Sequence, residues 1–462
     1  MSDYAEFLRS KRLAIGDTGP QVEPGAIHPI LFDFQRDLVR WAVRKGRAAL
    51  WADTGLGKTF MQLEWARLIG ERTLILAPLA VAQQTIREAA KLGQTVTYAR
   101  HQDEAPAVGI TITNYERLHR FDPLAFGAVV LDESSILKSF SGVTKRALVA
   151  GFALTPYRLS CSATPAPNDI EELCNHAHFL GVMTPSEMRS TFFIADSRGE
   201  FMRYRLKRHA RVAFYRWLAS WAMAIKKPSD LGYEDDGFVL PPLTVDAVTV
   251  ETDWKPDGQL FGISLGGVSD RSQARRATLV DRVEATRKLV VAEPAEQWLI
   301  WCGLNDEGRL LARALGSHAV VVEGADDPDA KAAALLDFAE GRTRVLITKP
   351  TIAGFGLNFQ TCARMAFLGI GDSFEQYYQA IRRCWRFGQT RPVHAYVVVS
   401  SVEQDVIYGN VLRKQAQAVE LSTELIAHAA EYERAELFIG TSAADDYEPS
   451  QEARLPAWLQ AS

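Results

Sequence analysis

The 462 residues are too many for one ordinary hydrophobic core and point to two or three domains. With 47% apolar and 23% charged residues the composition excludes a disordered chain. A formal net charge of −4 excludes a uniformly basic nucleic-acid binder, so any such surface has to be a local patch.

Residues 1 to about 27 are rich in Gly, Pro and charge and read as a loosely held arm. The segment Met1–Arg9 carries charges where a signal peptide needs an apolar core, and no apolar run is long enough to cross a bilayer. The expectation is a cytoplasmic chain with no membrane contact. Cys161, Cys174, Cys302, Cys362 and Cys384 never form a C-x-x-C pair and read as buried thiols in a reducing compartment.

From residue 28 the pattern changes. Phe34, Leu38, Trp41 and Ala42 recur at helical intervals within Leu31–Lys45. The apolar run Ala48–Trp51 then leads through Ala52-Asp53-Thr54-Gly55-Leu56-Gly57-Lys58-Thr59 into helical spacing over Phe60–Leu68. A glycine loop between a strand and a helix is where a phosphate-binding loop sits. The backbone N–H groups around Thr54, Gly55 and Gly57 can close on phosphate oxygens, Lys58 can reach the β/γ-phosphates, and the Thr59 hydroxyl can ligate Mg²⁺. Ala52 stands where the first glycine is usual. The competing reading is a glycine-rich turn that happens to end in Lys-Thr.

Strand runs at Arg72–Ala77 (stopped by Pro78), Gly109–Thr113, Phe126–Leu131 and Tyr157–Ser162 alternate with helical stretches, the signature of a doubly wound parallel sheet. Directly after Leu131 come Asp132 and Glu133. In the same unit as a phosphate loop, Asp132 can hold Mg²⁺ through water and Glu133 can orient or deprotonate an attacking water. An ordinary acidic helix N-terminus would look alike in isolation. Between Arg198 and Lys227, nine Lys/Arg residues face one acidic residue, interleaved with aromatic side chains. This basic helical segment, about 185–227, reads either as a track for phosphates, with Arg205 and Arg208 as contacts, or as a solvated helix with an aromatic core face.

A Pro, Gly and Asp-rich linker over Pro228–Pro242 precedes a second alternation. Its strands fall at Thr244–Glu251, Gln297–Cys302, Ala319–Val322, Arg344–Thr348, Arg364–Leu368 and Val393–Val399. Its helices fall at Gln273–Val291, Glu307–Leu315, Ala330–Ala339 and Phe374–Trp385, and a long helical stretch runs from Val402 to about Ala430. Two tandem α/β units with a cleft between them follow, at 28–240 and 241–440. An acidic tail, 441–462, ends with the apolar group Leu455–Leu459.

In this order the motifs resemble those of superfamily 2 helicases and translocases, most closely the Swi/Snf-type DNA translocases, over Leu31 to Val399. Leu31–Gln35 is similar to the adenine-sensing motif, which implies that Gln35 reads the base. Ala77-Pro78-Leu79 with Gln83-Gln84, and Thr113-Asn114-Tyr115, resemble first-domain DNA-contact motifs. Pro78, Gln84, Thr113 and Asn114, and in the second unit Thr348 and Lys349, are the implied contacts. Asp132-Glu133 with a trailing Lys138 resembles the Walker B motif, and Ser162-Ala163-Thr164-Pro165 with Asn168 the coupling motif. Gly354–Asn358 resembles the glycine-rich fifth motif, with Gly354 near the nucleotide. Gln379 with Arg382-Arg383-Cys384-Trp385-Arg386-Phe387-Gly388-Gln389 resembles the arginine motif. Ser134-Ser135 and Cys384-Trp385 depart from the usual Ala-His in their motifs.

The resemblance implies two tandem RecA-like domains with an ATP cleft between them. It implies catalysis by Lys58, Asp132, Glu133, Gln379, Arg383 and Arg386, with ATP and Mg²⁺ as cofactors. Arg383 and Arg386, three residues apart, can reach the γ-phosphoryl group only when the cleft closes. The expected partner is DNA, duplex rather than single-stranded, gripped by its backbone with little sequence preference. An RNA-directed helicase and a non-hydrolysing recruitment module are the alternatives. The chain is expected to be a monomer, with the tail either docking on a protein partner or folding back on the core.

Overall fold

The computed structural model describes residues 16–438 apart from 79–80, 139–141, 167–168, 197–202, 253–267, 354–357, 372 and 405–407. Most of the expected arm, the acidic tail, Leu79, Asn168 and Gly354 therefore lie outside the described residues.

The first unit runs α1 (Asp33–Lys45), β1 (Arg47–Ala52), α2 (Lys58–Ile69), β2 (Thr73–Ala77), α3 (Ala82–Lys91), β3 (Val96–Tyr98), β4 (Ile110–Asn114) and β5 (Ala128–Leu131). It continues with α4 (Val143–Gly151), β6 (Tyr157–Cys161), α5 (Leu173–Leu180), α6 (Pro185–Phe192), β7 (Phe193–Asp196), β8 (Arg203–Leu206), α7 (Arg211–Ala219) and β9 (Ala222–Ile225). Seven strands pair in the order β3-β4-β2-β5-β6-β1-β9, every pairing parallel, while β7 and β8 form a separate antiparallel hairpin. Strands β2, β4 and β5 are buried throughout, as apolar runs covered by helices on both faces must be.

The second unit runs β10 (Leu243–Val250), α8 (Val268–Ala277), α9 (Leu279–Ala292), β11 (Trp298–Trp301), α10 (Asn305–Leu315), β12 (Ala319–Val321), α11 (Pro328–Ala339), β13 (Val345–Thr348), β14 (Arg364–Phe367), α12 (Phe374–Ile381), β15 (Val393–Ser400) and α13 (Gly409–Phe438). Its six strands, β10-β15-β14-β11-β13-β12, are again all parallel. The two sheets with helices on their faces are the expected tandem RecA-like architecture. The strand carrying the phosphate loop, β1, lies between β6 and β9, and β5, carrying Asp132 and Glu133 at its carboxyl end, lies one strand beyond β6. The candidate catalytic groups thus emerge together at the carboxyl edge of the sheet. All five cysteines are buried and unbridged.

Two expectations change. The basic segment, about 185–227, is only partly helical: it comprises α6, β7, β8, the short α7 and the edge strand β9. Phe214, Tyr215, Trp217 and Trp221 are buried in the core, with Trp217 and Trp221 rings 5.2 Å apart, so the aromatic side chains there form a core face. The closing helix also does not stay with the second unit. α13 returns across the chain to pack on α7, β9 and α1 of the first, burying Leu425 and Leu437 in its two hydrophobic clusters.

Buried carboxylates fasten that helix. Glu436 meets Lys45 at 3.0 Å, both almost fully enclosed, and Glu433 accepts the Ala224 N–H at 2.8 Å, covering the open edge of β9. Burial pushes the Glu433 carboxyl up to about 8. A raised carboxyl keeps its proton in the folded state where the unfolded chain has lost it. Its contribution to stability is therefore complete below about pH 4.5 and is lost as pH rises towards 8. Glu433→Gln, which keeps the acceptor oxygen but cannot ionise, is expected to raise the melting temperature at pH 8.5 by several degrees and to change it far less at pH 5. Equal shifts at both pH values would refute this. No described helix is long and apolar enough to cross a membrane.

Candidate active site in the interlobe cleft

The phosphate loop takes its shape from two glycines. Gly55 has φ 92°, and a Cβ there would come within 3.0 Å of the Phe387 backbone nitrogen from the second unit. Gly57 has φ 78°, and its Cβ would lie 2.3 Å from the Gln35 amide nitrogen. Ala52 is the last residue of β1 and has no positive φ, so it needs no glycine. Lys58 Nζ donates to the Ala52 and Asp53 carbonyls at 2.8 and 3.3 Å, curled over the loop it would present to a phosphate. Gln35 is almost fully buried. Its amide donates to the Leu56 carbonyl at 2.9 Å and accepts the Phe32 N–H at 3.0 Å, so it braces the loop as well as lining the cleft.

Across the sheet, Asp132 accepts from the Gln62 amide at 2.7 Å, and its carbonyl receives the Tyr115 hydroxyl at 2.6 Å. Gln62 lies four residues after Lys58, on the same face of α2, which explains how one helix supports both motifs. Burial raises the Asp132 carboxyl above its ordinary range and takes Glu133 to about 7, with Lys58 opposing the shift in both. Glu133 is the one non-glycine residue with positive φ (52°) among the described residues. Its Oε2 is buried with no hydrogen-bond partner among them. Strain and an unsatisfied carboxylate oxygen at one residue mark a group held for use.

The second unit supplies the opposite wall. Arg383 reaches the Gln379 carbonyl at 3.3 Å and its side-chain oxygen at 3.2 Å, while Arg386 bonds Asn358. Burial pushes both guanidinium groups down, Arg386 to about 9, with Arg383 as the next cause there. A cavity of about 430 Å³ joins the two walls, lined among others by Gln35, Thr54, Gly55, Gly57, Lys58, Thr59, Asp132, Glu133, Arg383 and Arg386. Phe32, Phe238 and Phe387 also line it and pack on one another, with the Phe238 and Phe387 rings 4.9 Å apart. The sequence separations of more than three hundred residues thus collapse into one cleft.

Several motif residues stand elsewhere than expected. Gln84 lines this cavity and bonds Glu88 at 2.7 Å, so in this arrangement it faces the nucleotide cleft and not a nucleic-acid surface. Thr113 and Thr348 are wholly buried, and the Thr348 hydroxyl donates to the Val322 carbonyl at 3.0 Å; neither can touch a backbone outside. Asn114 is buried and bonds Glu116 at 2.6 Å. Pro78 and Lys349 are half-buried, and Arg205 and Arg208 are exposed.

Sequence reasoning missed His176. Buried and held near 4, it is neutral. Its Nε2–H donates to the Pro165 carbonyl at 2.9 Å, which leaves Nδ1 to accept from the Ser160 hydroxyl at 2.8 Å. Ser160 lies 2.9 Å from Ser134. The chain Ser134–Ser160–His176–Pro165 therefore joins the segment after Asp132-Glu133 to Ser162–Pro165. Trp385, the other departure, donates to the Pro241 carbonyl at 2.7 Å and ties the arginine motif to the linker.

Two parallel-sheet units thus bring a phosphate-type loop, a carboxylate pair and a pair of arginines to one cleft. Residues 281–388 match the helicase conserved C-terminal domain, which places that domain in the second unit. A protein of Acyrthosiphon pisum secondary endosymbiont phage 1, p41, is 30% identical over 165 residues, and the match spans 29% of this chain and 35% of that protein. The SWI2/SNF2 ATPase core of Sulfolobus solfataricus, solved in complex with dsDNA, aligns at 17% identity with a TM-score of 0.42, covering 90% of this chain and 98% of that one.

Proposed function

We propose that the chain is a Swi/Snf-type, DNA-stimulated ATPase that moves along duplex DNA, with units close to 28–240 and 241–408 and with α13 as a strap back to the first. The observation that carries the reading is the single cleft in which Lys58, Asp132 and Glu133 face Arg383 and Arg386. Hydrolysis of a phosphoanhydride needs little covalent help from a protein. It needs the phosphates held, a water aimed and the developing charge met. Lys58 and the N–H groups of the loop bind the phosphates, and Glu133 takes the proton of the attacking water. Arg383 and Arg386 meet the charge on the γ-phosphoryl oxygens.

The residues present suit Mg²⁺. Thr59 and Asp132 border the same cavity and offer it a hydroxyl and a carboxylate, the hard oxygen donors that Mg²⁺ takes. When bound there, Mg²⁺ neutralises phosphate charge. Asp132 would hold it through water, and Thr59 through its hydroxyl.

The preference for duplex DNA rests on the resemblance of the ordered motifs to the Swi/Snf class. After the burial of Thr113 and Thr348, the exposed Arg205 and Arg208 and the half-buried Pro78 and Lys349 remain as candidate backbone contacts. The deciding experiment is ATP hydrolysis with duplex DNA, single-stranded DNA and RNA, paired with triplex displacement. We expect the strongest stimulation by duplex DNA, displacement without strand separation, and loss of turnover in Lys58→Ala. Stimulation by RNA alone would move the assignment to an RNA helicase, and full turnover in Lys58→Ala would overturn the site.

A further inference from the structure

We propose that Asp53 and Glu375 are positioning residues that fasten α12 to the first unit at two points and thereby set Arg383 and Arg386 against Glu133. Glu375, Tyr378 and Arg382 recur at intervals of three and four residues and so share one side of α12 and its C-terminal turn. Each reaches the other unit. The Tyr378 hydroxyl donates to Asp53 Oδ1 at 2.6 Å and Arg382 pairs with the same carboxylate. Glu375 accepts from the Ser135 hydroxyl at 2.5 Å and pairs with Lys138.

The two anchors flank the chemistry. Asp53 begins the phosphate loop, three residues after Leu50 on the strand that enters it. Ser135 and Lys138 lie two and five residues after Glu133. Arg382 is almost fully enclosed, its guanidinium 4.7 Å from the Trp385 ring centre and 5.4 Å from that of Tyr378. Burial would raise the Asp53 carboxyl, but the Arg382 charge and the Tyr378 hydroxyl outweigh it and keep the group ionised. A buried charge pair tolerates little displacement, because separating the partners leaves each without water or counter-charge. Arg383 follows Arg382 without an intervening residue, so fixing Arg382 fixes the backbone from which Arg383 reaches into the cleft.

The fastening consists wholly of this chain's side chains. It is therefore expected to hold the units at one separation before nucleotide is added. The role assigned to the arginines rests on the ATPase reading, whereas the fastening itself does not.

The test uses the full chain with spin labels at Val108→Cys and Val280→Cys, both exposed and in different units, against a background in which every native cysteine is buried. The parent protein is expected to show one narrow distance distribution without nucleotide. Glu375→Gln combined with Tyr378→Phe, changes outside the phosphate loop, should broaden it. Asp53→Ala should do the same and Asp53→Glu should largely restore it. Steady-state rates should split accordingly, kcat falling on the order of a hundredfold with ATP affinity within about twofold. A distribution unchanged in both Asp53→Ala and the double variant overturns the proposal, as does a broadened distribution with kcat intact. If the parent protein fails to hydrolyse ATP, the ATPase reading falls alone and the distance measurement still decides the fastening.

Discussion

Replacing Arg386 by Ala is expected to lower kcat for ATP by about a thousandfold or more while leaving nucleotide affinity within a few-fold, the signature of a group that acts on the transition state. Arg386 stands in the cleft wall opposite Lys58, held by Asn358. Burial and the neighbouring Arg383 push its guanidinium down to about 9. Two cations confined together in a partly dehydrated cleft repel each other, and an anion placed between them relieves that cost. The relief grows as negative charge gathers on the γ-phosphoryl oxygens, so it favours the transition state over the bound substrate. Arg386→Lys keeps the charge but loses the planar fork that Asn358 orients, and should recover only part of the rate. Equilibrium titration with a fluorescent nucleotide and single-turnover hydrolysis separate the two effects. A rise in KM with kcat preserved would make Arg386 a binding residue and return the catalytic role to Arg383 alone.

The motifs were legible because each depends on neighbours in sequence. A glycine loop between a strand and a helix needs Gly55 and Gly57 for backbone reasons that show within eight residues, and Asp132-Glu133 announces itself by ending an apolar strand. The alternation of strands and helices likewise fixed two parallel sheets. What stayed hidden depends on residues distant in the chain. His176 gives no local signal, since it is one of three polar residues on α5, with Asn175 and His178, and its meaning comes from Ser134 and Ser160 on two other segments. The edge strand β9 is only four residues long and lies, just before Lys226 and Lys227, inside the basic segment read as helical. Thr113 and Thr348 were placed at a nucleic-acid surface because their motifs pointed there. Thr113 is the penultimate residue of β4 and Thr348 the last of β13, strands paired on both sides, where a small hydroxyl is buried as readily as a methyl group. The return of α13 to the first unit is likewise set by partners such as Lys45 and Ala224, far from it in sequence.

Glu133→Gln carries the second large effect, and it should move activity and stability in opposite directions. A base that takes a proton from water contributes about a hundred- to ten-thousandfold, and an amide cannot replace it, so kcat should fall by that order. The parent enzyme should also show an acid limb. Burial, only partly opposed by Lys58, places the Glu133 carboxyl at about 7. Only the deprotonated form serves as base, so the rate should rise as pH increases through that region, and the small residual rate of Glu133→Gln should lack the limb. The stability argument runs the other way. The folded-state value lies above the ordinary 4.5, so the folded protein retains a proton that the unfolded chain releases. Stability from this group is therefore lost as pH rises from about 4.5 through 7. An uncharged amide escapes that loss, and it leaves the positive φ of residue 133 unchanged. Thermal unfolding at pH 8 should accordingly show Glu133→Gln more stable than the parent, with the difference shrinking towards pH 5. An inactive variant that is no more stable at pH 8 would mean that Glu133 is already ionised in the folded cleft, and the acid limb would then have to belong to Asp132, whose carboxyl burial also raises.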